Sequence, residues 1–133
     1  MTSTLAALDT RYQLLTTYTA TSKRNFYMKD QISTFTLQQG YVPLNPFQIF
    51  GFLNDTIDRN LVRQANNTLV RIANEFWVFG EVSDGVLAEI KQAKKQRKPI
   101  KYFRIENYKD IIEILNLEEI VMEKNVKTYR HLL

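Results

Sequence analysis

The sequence of 133 residues contains no cysteine and only one histidine. The lack of cysteine excludes disulfide bonds and a thiolate nucleophile. The single histidine, His131, lies near the C-terminal end, which argues against a histidine-rich metal site and against a Ser-His-Asp triad. We therefore expect neither a metal ion nor another cofactor.

Glycine and long apolar runs are also scarce. The four glycines form neither the GxGxxG motif nor a P-loop, which counts against a typical NAD-dependent dehydrogenase or nucleotide kinase. No apolar run approaches the roughly 20 residues that cross a bilayer, and MTSTLAALDTRYQ lacks the pattern of a signal peptide. The sequence therefore predicts a cytoplasmic protein that does not contact a membrane.

Charge is unevenly distributed along the chain. The net charge is +4, but seven basic residues and no acidic residue lie between Lys91 and Arg104. A solvated helix face is the simpler explanation, because contact with nucleic acid would need further basic residues elsewhere. An adaptor that binds RNA or protein through this segment is the weaker hypothesis, and nucleic acid is not an expected partner.

The spacing of apolar residues predicts an alternation of strands and helices. Strands are predicted at 13–19, 41–44, 76–79 and 100–105. Helices are predicted at 25–39, 57–73 and 107–115, and from Val86 to a point before Pro99, with Asn25 and Asn107 as N-caps. Residues 1–11 are expected to be mobile, and residues 116–133 fit either a helix or a late strand.

This alternation of elements determines the predicted fold. Strands that alternate with helices form a parallel sheet that is covered on both faces. The length suits a single domain over residues 1–133, and the sequence shows no internal repeat. We therefore predict an α/β fold, a three-layer flavodoxin-like or Rossmann-like sandwich with four to five mainly parallel strands.

A polar loop follows the third predicted strand and leads into a helix. Ser83 or Asp84 can cap this helix, and Gly85 lets the backbone approach a ligand closely. Glu89 lies at the border of the apolar face of the helix, where a carboxylate can reach the rim of a cleft. In open α/β sheets, ligands bind at the carboxyl ends of the strands. A common helix-start signal followed by an ordinary surface acid is the alternative interpretation.

The pattern Ser83-x-Gly85-x-x-x-Glu89 follows the apolar run 76–79 and precedes AKKQRKPIKYF. This combination resembles the nucleoside 2-deoxyribosyltransferase family and its deoxynucleoside-monophosphate N-hydrolase relatives. The resemblance implies that Glu89 acts as the nucleophile on C1′ of a nucleoside, and that Ser83 contacts the sugar or a 5′-phosphate. Asp84 is the alternative acid in the same loop.

The helix before the third strand departs from the pattern of that family. The family has an aspartate there that handles the leaving base, whereas this chain has Asn66 and Asn67. These amides can hydrogen-bond a base but cannot transfer a proton as a carboxyl group does. Asp55 and Asp58, further upstream, are alternative acids.

The loop after the first strand is the second departure. The family has a glycine-containing turn there, and this chain has residues 19–24, with the sequence TATSKR. Hydroxyl groups and two cations suit a phosphate. Ser22 and Arg24 are therefore candidate ligand contacts.

Aromatic residues complete the predicted site. Tyr18, near the end of the first strand, can orient Glu89 through a hydrogen bond. Phe47, Phe50 and Phe52 can stack on a nucleobase. For all four aromatic residues, a place in the core, at the cavity rim or at a subunit interface is the alternative interpretation.

The resemblance also implies a homo-oligomer, a dimer or larger, because the family completes its active site with a neighbouring subunit. The C-terminal extension 116–133, with Tyr129, Leu132 and Leu133, then packs on a partner subunit, and a frayed tail is the alternative. The expected ligand is a nucleoside or nucleotide. The expected function is that of an N-glycosidase or deoxyribosyltransferase, and a non-catalytic nucleotide-binding or sensing module of the same fold is the alternative.

Overall fold

The computed structural model describes residues 13–53 and 56–133, apart from the side chain of Phe52. Within that part of the chain, five strands form one sheet, and helices cover both of its faces. The predicted three-layer α/β sandwich with a mainly parallel sheet is therefore confirmed. The expectation that residues 1–11 are mobile lies outside the described residues.

The chain alternates strands and helices up to the fourth strand and then forms a hairpin and two 3₁₀ helices. The strands are β1 (Leu15–Thr21), β2 (Tyr41–Leu44), β3 (Glu75–Phe79), β4 (Ile100–Glu106) and β5 (Asp110–Ile114). The α-helices are α1 (Lys29–Gln38), α2 (Pro46–Phe50), α3 (Arg59–Ile72) and α4 (Asp84–Lys95). The 3₁₀ helices span Lys23–Met28, Gly51–Leu53, Leu117–Glu119 and Lys124–Leu132.

The strand order in the sheet is β2-β1-β3-β4-β5. The first four strands are parallel, and β5 runs antiparallel to β4. From β1 the chain moves to β2 on one side and then crosses back to β3 on the other side. The sheet therefore has a topological switch point between β1 and β3, where open α/β sheets have a crevice for ligands.

Two apolar layers hold the helices on the sheet. Because side chains alternate across a strand, Phe76 and Val78 of β3 pack with residues of α3 and α4, whereas Trp77 and Phe79 pack with residues of α1. All four side chains are buried, so β3 is covered on both faces, as its continuous apolar run predicts. β3 thus fixes the position of the loop that follows it.

The predicted helix at 107–115 is wrong. Residues Asp110–Ile114 form β5, which pairs with β4 across a three-residue turn. Asn107 and Tyr108 in that turn have φ values of 52° and 59°. Asn107 therefore occupies the left-handed region, which asparagine tolerates, instead of capping a helix. The β-branched sequence DIIEI is the strand signal that the prediction overlooked.

The first helical segment also begins differently from the prediction. β1 continues through Ala20 and Thr21, and a 3₁₀ helix precedes α1. Ser22, not Asn25, is the N-cap, because its hydroxyl accepts a hydrogen bond from the backbone N–H of Arg24. The Asn25 side chain instead donates a hydrogen bond to the Thr21 hydroxyl at 3.1 Å.

The C-terminal residues form neither an α-helix nor a full strand. They contribute two 3₁₀ helices and one parallel bridge between Val82 and Met122. Leu133 is buried in the core of its own chain, and Leu132 packs against the same core. The frayed tail is therefore wrong. Packing of Leu132, Leu133 and the exposed Tyr129 on a partner subunit stays a prediction.

Part of the basic segment 91–104 has a structural role. The Lys98 ammonium group donates hydrogen bonds to two backbone carbonyls at the C-terminal end of α3, at 2.7 and 2.6 Å. The Lys101 ammonium group lies 5.1 Å from the centroid of the Trp77 ring. Arg104 forms an ion pair with Glu106 at 2.7 Å. Three of the seven basic residues thus make contacts within the protein, so their presence does not require a nucleic-acid partner.

Gly80 lies directly after β3, at the point where the chain turns toward Ser83. Its φ is +79°, and a Cβ at this position would lie only 2.6 Å from the side-chain nitrogen of Asn25. Both restrictions favour glycine. Gly85 is different, because a Cβ there would meet no described atom within 4 Å and its φ is not positive.

We expect Gly80→Ala to lower the free energy of unfolding by about 1–2 kcal/mol, because alanine is strained in the left-handed region. Gly85→Ala, in the first turn of α4, should leave the free energy of unfolding unchanged or raise it by up to about 1 kcal/mol. Equilibrium unfolding in urea measures both values. Equal effects of the two substitutions would contradict this account of Gly80.

Candidate functional site

A cavity of about 880 Å³ opens at the switch point between β1 and β3. We call it the switch-point cavity. Its walls come from β1, α2, one face of α3 and the start of α4. The lining residues are Tyr18, Thr21, Lys23, Pro46, Phe47, Phe50, Arg59, Val62, Arg63, Asn66, Asn67, Ser83, Asp84, Gly85, Val86, Ala88 and Glu89. The predicted site residues Tyr18, Phe47, Phe50, Asn66, Asn67, Ser83, Asp84, Gly85 and Glu89 are among them, and Ser22 and Arg24 are not.

Glu89 and Tyr18 meet at this cavity from two neighbouring parts of the fold. Glu89 lies in the second turn of α4, and Tyr18 lies in β1, the strand that pairs with β3. The Tyr18 hydroxyl donates a hydrogen bond to the Glu89 carboxylate. The Tyr18 ring is buried and stacks on Phe76, with 5.4 Å between the ring centroids. The structure thus contains the hydrogen bond that the sequence predicts between these residues.

Burial changes the acidity of both groups. Loss of hydration raises the pKa of Glu89 from 4.5 to about 7, and the hydrogen bond from Tyr18 opposes this rise. Burial first, and then the nearby Glu89 carboxylate, raise the pKa of Tyr18 well above its usual value of 10. At neutral pH, Tyr18 therefore keeps its proton and Glu89 exists in both protonation states. Such a carboxyl group suits nucleophilic or acid–base chemistry.

The loop before α4 presents polar groups on the same side of the cavity as Glu89. Ser83 is the N-cap of α4, and its hydroxyl accepts a hydrogen bond from the backbone N–H of Val86 at 3.3 Å. The predicted cap is therefore confirmed. Asp84, in the first turn, is exposed, and Gly85 leaves the backbone of that turn open to the cavity.

Two amides of α3, Asn66 and Asn67, also line the cavity. The side-chain oxygen of Asn66 is buried and has no hydrogen-bond partner among the described residues. A buried acceptor without a partner costs free energy, so this oxygen is suited to accept a hydrogen bond from a bound molecule. Asn67 also joins α3 to α4, because its backbone carbonyl accepts a hydrogen bond from Gln92 at 3.3 Å.

Aromatic rings from α2 form a further part of the wall. Phe47 and Phe50 are partly exposed and line the cavity. Phe47 packs edge-on against Phe26, with 5.4 Å between the ring centroids. This contact fixes one ring next to the cavity, where it is available for stacking. The side chain of Phe52 lies outside the described residues.

The cavity wall also contains three cations: Lys23, which follows β1, and Arg59 and Arg63 of α3. Lys23 is one of the two cations of the TATSKR loop, whereas the two arginines were missed in the sequence. Arginines on an amphipathic helix look like an ordinary solvated face, and so they were not selected. The signal that does exist is their spacing of four residues, which places Arg59 and Arg63 on one side of the helix.

Ser22 and Arg24 do not line the switch-point cavity, which corrects their assignment to the same site as Glu89. The Ser22 hydroxyl donates a hydrogen bond to the Glu123 carboxylate at 3.2 Å, and the side chain of Arg24 lies 3.8 Å from the same carboxylate. Arg24 borders a second cavity of about 490 Å³. Both side chains therefore contact Glu123 of the C-terminal segment.

Asp58 does not supply an acid to the switch-point cavity. Its carboxylate caps α3 by accepting a hydrogen bond from the backbone N–H of Asn60 at 2.9 Å, and it is not among the lining residues. Asp55 lies outside the described residues. Among the described residues, α3 thus contributes the amides Asn66 and Asn67, and no carboxyl group, to the lining of the cavity.

Within residues 13–53 and 56–133, no group of three or more histidine, cysteine, aspartate or glutamate side chains is placed to hold a metal ion. No helix in that part of the chain combines the length and the apolar character that crossing a membrane requires.

The sequence matches the family described as a domain of unknown function, DUF7768, over residues 13–103. This match covers more than half of the chain, so the chain belongs to that family. It includes every residue that lines the switch-point cavity and ends within β4, before β5 begins. No curated protein matches the chain.

The raised pKa of Glu89 predicts a pH-dependent stability. A carboxyl group whose pKa is higher in the folded protein holds its proton more tightly when the protein is folded. Its contribution to the free energy of unfolding is therefore fully present below the pKa of the unfolded chain and is lost as pH rises through about 7. The difference between 4.5 and about 7 corresponds to at most about 3 kcal/mol. We therefore expect the free energy of unfolding of the wild type to fall between about pH 4 and about pH 8, and to fall by up to this amount more than that of Glu89→Gln.

Urea unfolding of the two proteins at both pH values measures this difference. The other titrating groups are common to both proteins, so they cancel in the comparison. Parallel loss of stability in the wild type and in Glu89→Gln would show that the Glu89 carboxylate is not desolvated.

Proposed function

We propose that this chain is a nucleoside or nucleotide N-glycosidase or deoxyribosyltransferase in which Glu89 is the nucleophile. The observation that carries the proposal is the desolvated Glu89 carboxylate, which Tyr18 holds at a cavity on the carboxyl edge of a parallel sheet. The resemblance of Ser83-x-Gly85-x-x-x-Glu89 to the deoxyribosyltransferase pattern supports the same role. A cavity of about 880 Å³ is also within the range that small-molecule and cofactor sites occupy.

The proposed reaction has two steps. In the first, an oxygen of ionised Glu89 attacks C1′; a C–O bond forms, the C1′–N bond breaks, and its electron pair leaves with the base, which takes a proton from solvent. In the second, water or another base attacks C1′ and releases the Glu89 carboxylate, with the proton of the attacking group passing to solvent. Water gives hydrolysis, another base gives transfer, and the configuration at C1′ is retained in both cases.

The surrounding groups have separate roles in this proposal. Tyr18 fixes the position of the Glu89 carboxylate, and its raised pKa keeps the hydroxyl protonated as a donor at neutral pH. Ser83 lies close to Glu89 along the chain and is suited to contact the sugar. Phe47 offers a ring for stacking on the base.

A nucleotide-binding or sensing module without turnover is the second candidate. The observation that favours it is the presence of Asn66 and Asn67 where the resembled family has a proton-transferring aspartate. An amide can bind a base through hydrogen bonds, but it cannot protonate the base as it leaves. Measurable binding without release of base distinguishes this candidate from the enzyme.

The test is to incubate the protein with each of the four 2′-deoxynucleosides and their 5′-monophosphates and to detect free base by chromatography. We expect release from at least one of them, and at least about a thousandfold slower release by Glu89→Gln, because the amide cannot act as the nucleophile. Addition of a second free base separates transferase from hydrolase activity.

Glu81→Gln is the matched control, since Glu81 is an exposed glutamate between β3 and α4 that does not line the switch-point cavity. It should keep the activity of the wild type. Undiminished release by Glu89→Gln would contradict the proposal, whereas no release of base from any substrate, together with binding, would favour the sensing module.

A second prediction concerns Tyr18→Phe and the pH dependence of base release. Phenylalanine keeps the stacking on Phe76 but removes the hydrogen bond that lowers the pKa of Glu89. The pKa of Glu89 should therefore rise further, and ionised Glu89 should appear only at higher pH. We expect the rising limb of the rate–pH profile, near pH 7 in the wild type, to move toward higher pH.

A loss of rate in Tyr18→Phe that is the same at every pH would argue against this role of the hydroxyl. The wild-type profile is the reference for the comparison, and circular dichroism across the pH range establishes that both proteins stay folded.

A further inference from the structure

We propose that Arg59 and Arg63 form an anion subsite on the α3 wall of the switch-point cavity, and that this subsite binds a phosphate group of the ligand. The inference deepens the proposed function and rests on it for the nucleoside part of the ligand. It assigns phosphate recognition to α3, not to the loop that holds Ser83.

The first observation is the placement of the two guanidinium groups. Arg59 and Arg63 both line the switch-point cavity, and residues four apart are neighbours on one side of a helix. Two like charges at this spacing weaken a helix slightly. A bound anion would convert this repulsion into a favourable contact with both groups.

The second observation is the charge of the cavity as a whole. Its lining contains three cations, with Lys23 as the third, against two carboxylates, Asp84 and Glu89. Because the pKa of Glu89 is raised to about 7, that residue carries only part of a negative charge at neutral pH. The cavity is therefore net positive, which favours an anionic ligand over a neutral nucleoside.

The third observation concerns the competing position for a phosphate, at the N-terminus of α4. Helix N-termini attract anions, but here Asp84 already places a carboxylate in the first turn. The Ser83 hydroxyl also caps the helix. A phosphate at this end would meet a like charge, whereas at α3 it meets two guanidinium groups.

The chemistry of arginine fits this assignment. A guanidinium group presents several N–H donors in a plane and binds phosphate oxygens through paired hydrogen bonds. Arg59 and Arg63 are both exposed to solvent at the cavity. Within the described residues, neither guanidinium group forms an ion pair. Asp58, which precedes Arg59, is engaged in capping α3.

The experiment measures binding, not turnover. Isothermal titration calorimetry is performed with the four 2′-deoxynucleosides, their 5′-monophosphates and inorganic phosphate, using Glu89→Gln so that no substrate is consumed. We expect at least one 5′-monophosphate to bind about tenfold or more tightly than its nucleoside, with an affinity that falls as salt increases. In the double variant Glu89→Gln/Arg63→Gln, the preference for the monophosphate over its nucleoside should be about tenfold smaller. The affinity for the nucleoside should stay unchanged within about twofold.

Arg71→Gln is the matched control, because Arg71 is an exposed arginine of the same helix that does not line the cavity. It should keep the preference for the monophosphate. Equal affinities for nucleosides and monophosphates, or the same loss in Arg71→Gln as in Arg63→Gln, would overturn the subsite.

The anion subsite and the proposed reaction can fail independently of each other. If the wild type releases no base but binds a monophosphate through Arg63, the glycosidase fails and the anion subsite stands. If the wild type releases base from nucleosides and monophosphates equally, and Arg63→Gln changes neither affinity, the glycosidase stands and the subsite fails.

Discussion

The hydrogen bond between Tyr18 and Glu89 is the interaction on which the site depends. It joins β1 to α4 across the switch point of the sheet, and it holds a carboxylate where hydration is poor. Burial alone would favour the neutral acid, and the Tyr18 hydroxyl partly offsets that effect by donating to the ionised form. The resulting pKa of Glu89 is near 7, so this carboxyl group titrates at a pH at which an exposed glutamate is fully ionised.

The sequence was informative where local patterns coincide with burial. The apolar run before Gly80, the cap at Ser83 and the position of Glu89 at the edge of an apolar face predicted the central strand, the following helix and the central carboxylate. The pairing of Tyr18 with Glu89 was predictable because adjacent parallel strands end at the same edge of a sheet.

Other features of the fold and of the cavity could not be predicted from the sequence, because they depend on tertiary contacts. Asn107 looks like a helix cap until the β-branched residues after it pair with β4, and that pairing is a tertiary interaction. Arg59 and Arg63 look like solvated charges until the fold places them at a cavity. Ser22 and Arg24 are close to that cavity along the chain, but contacts with Glu123 hold them elsewhere.

Burial against Tyr18 keeps the Glu89 carboxyl group half-protonated near neutral pH. Carbon-13 NMR of the glutamate side-chain carboxyl groups measures this directly, with the Glu89 resonance assigned by its absence in Glu89→Gln. We expect a titration midpoint near pH 7 for Glu89. A midpoint near 4.5, the value for a hydrated glutamate, would show that the carboxyl group is not desolvated.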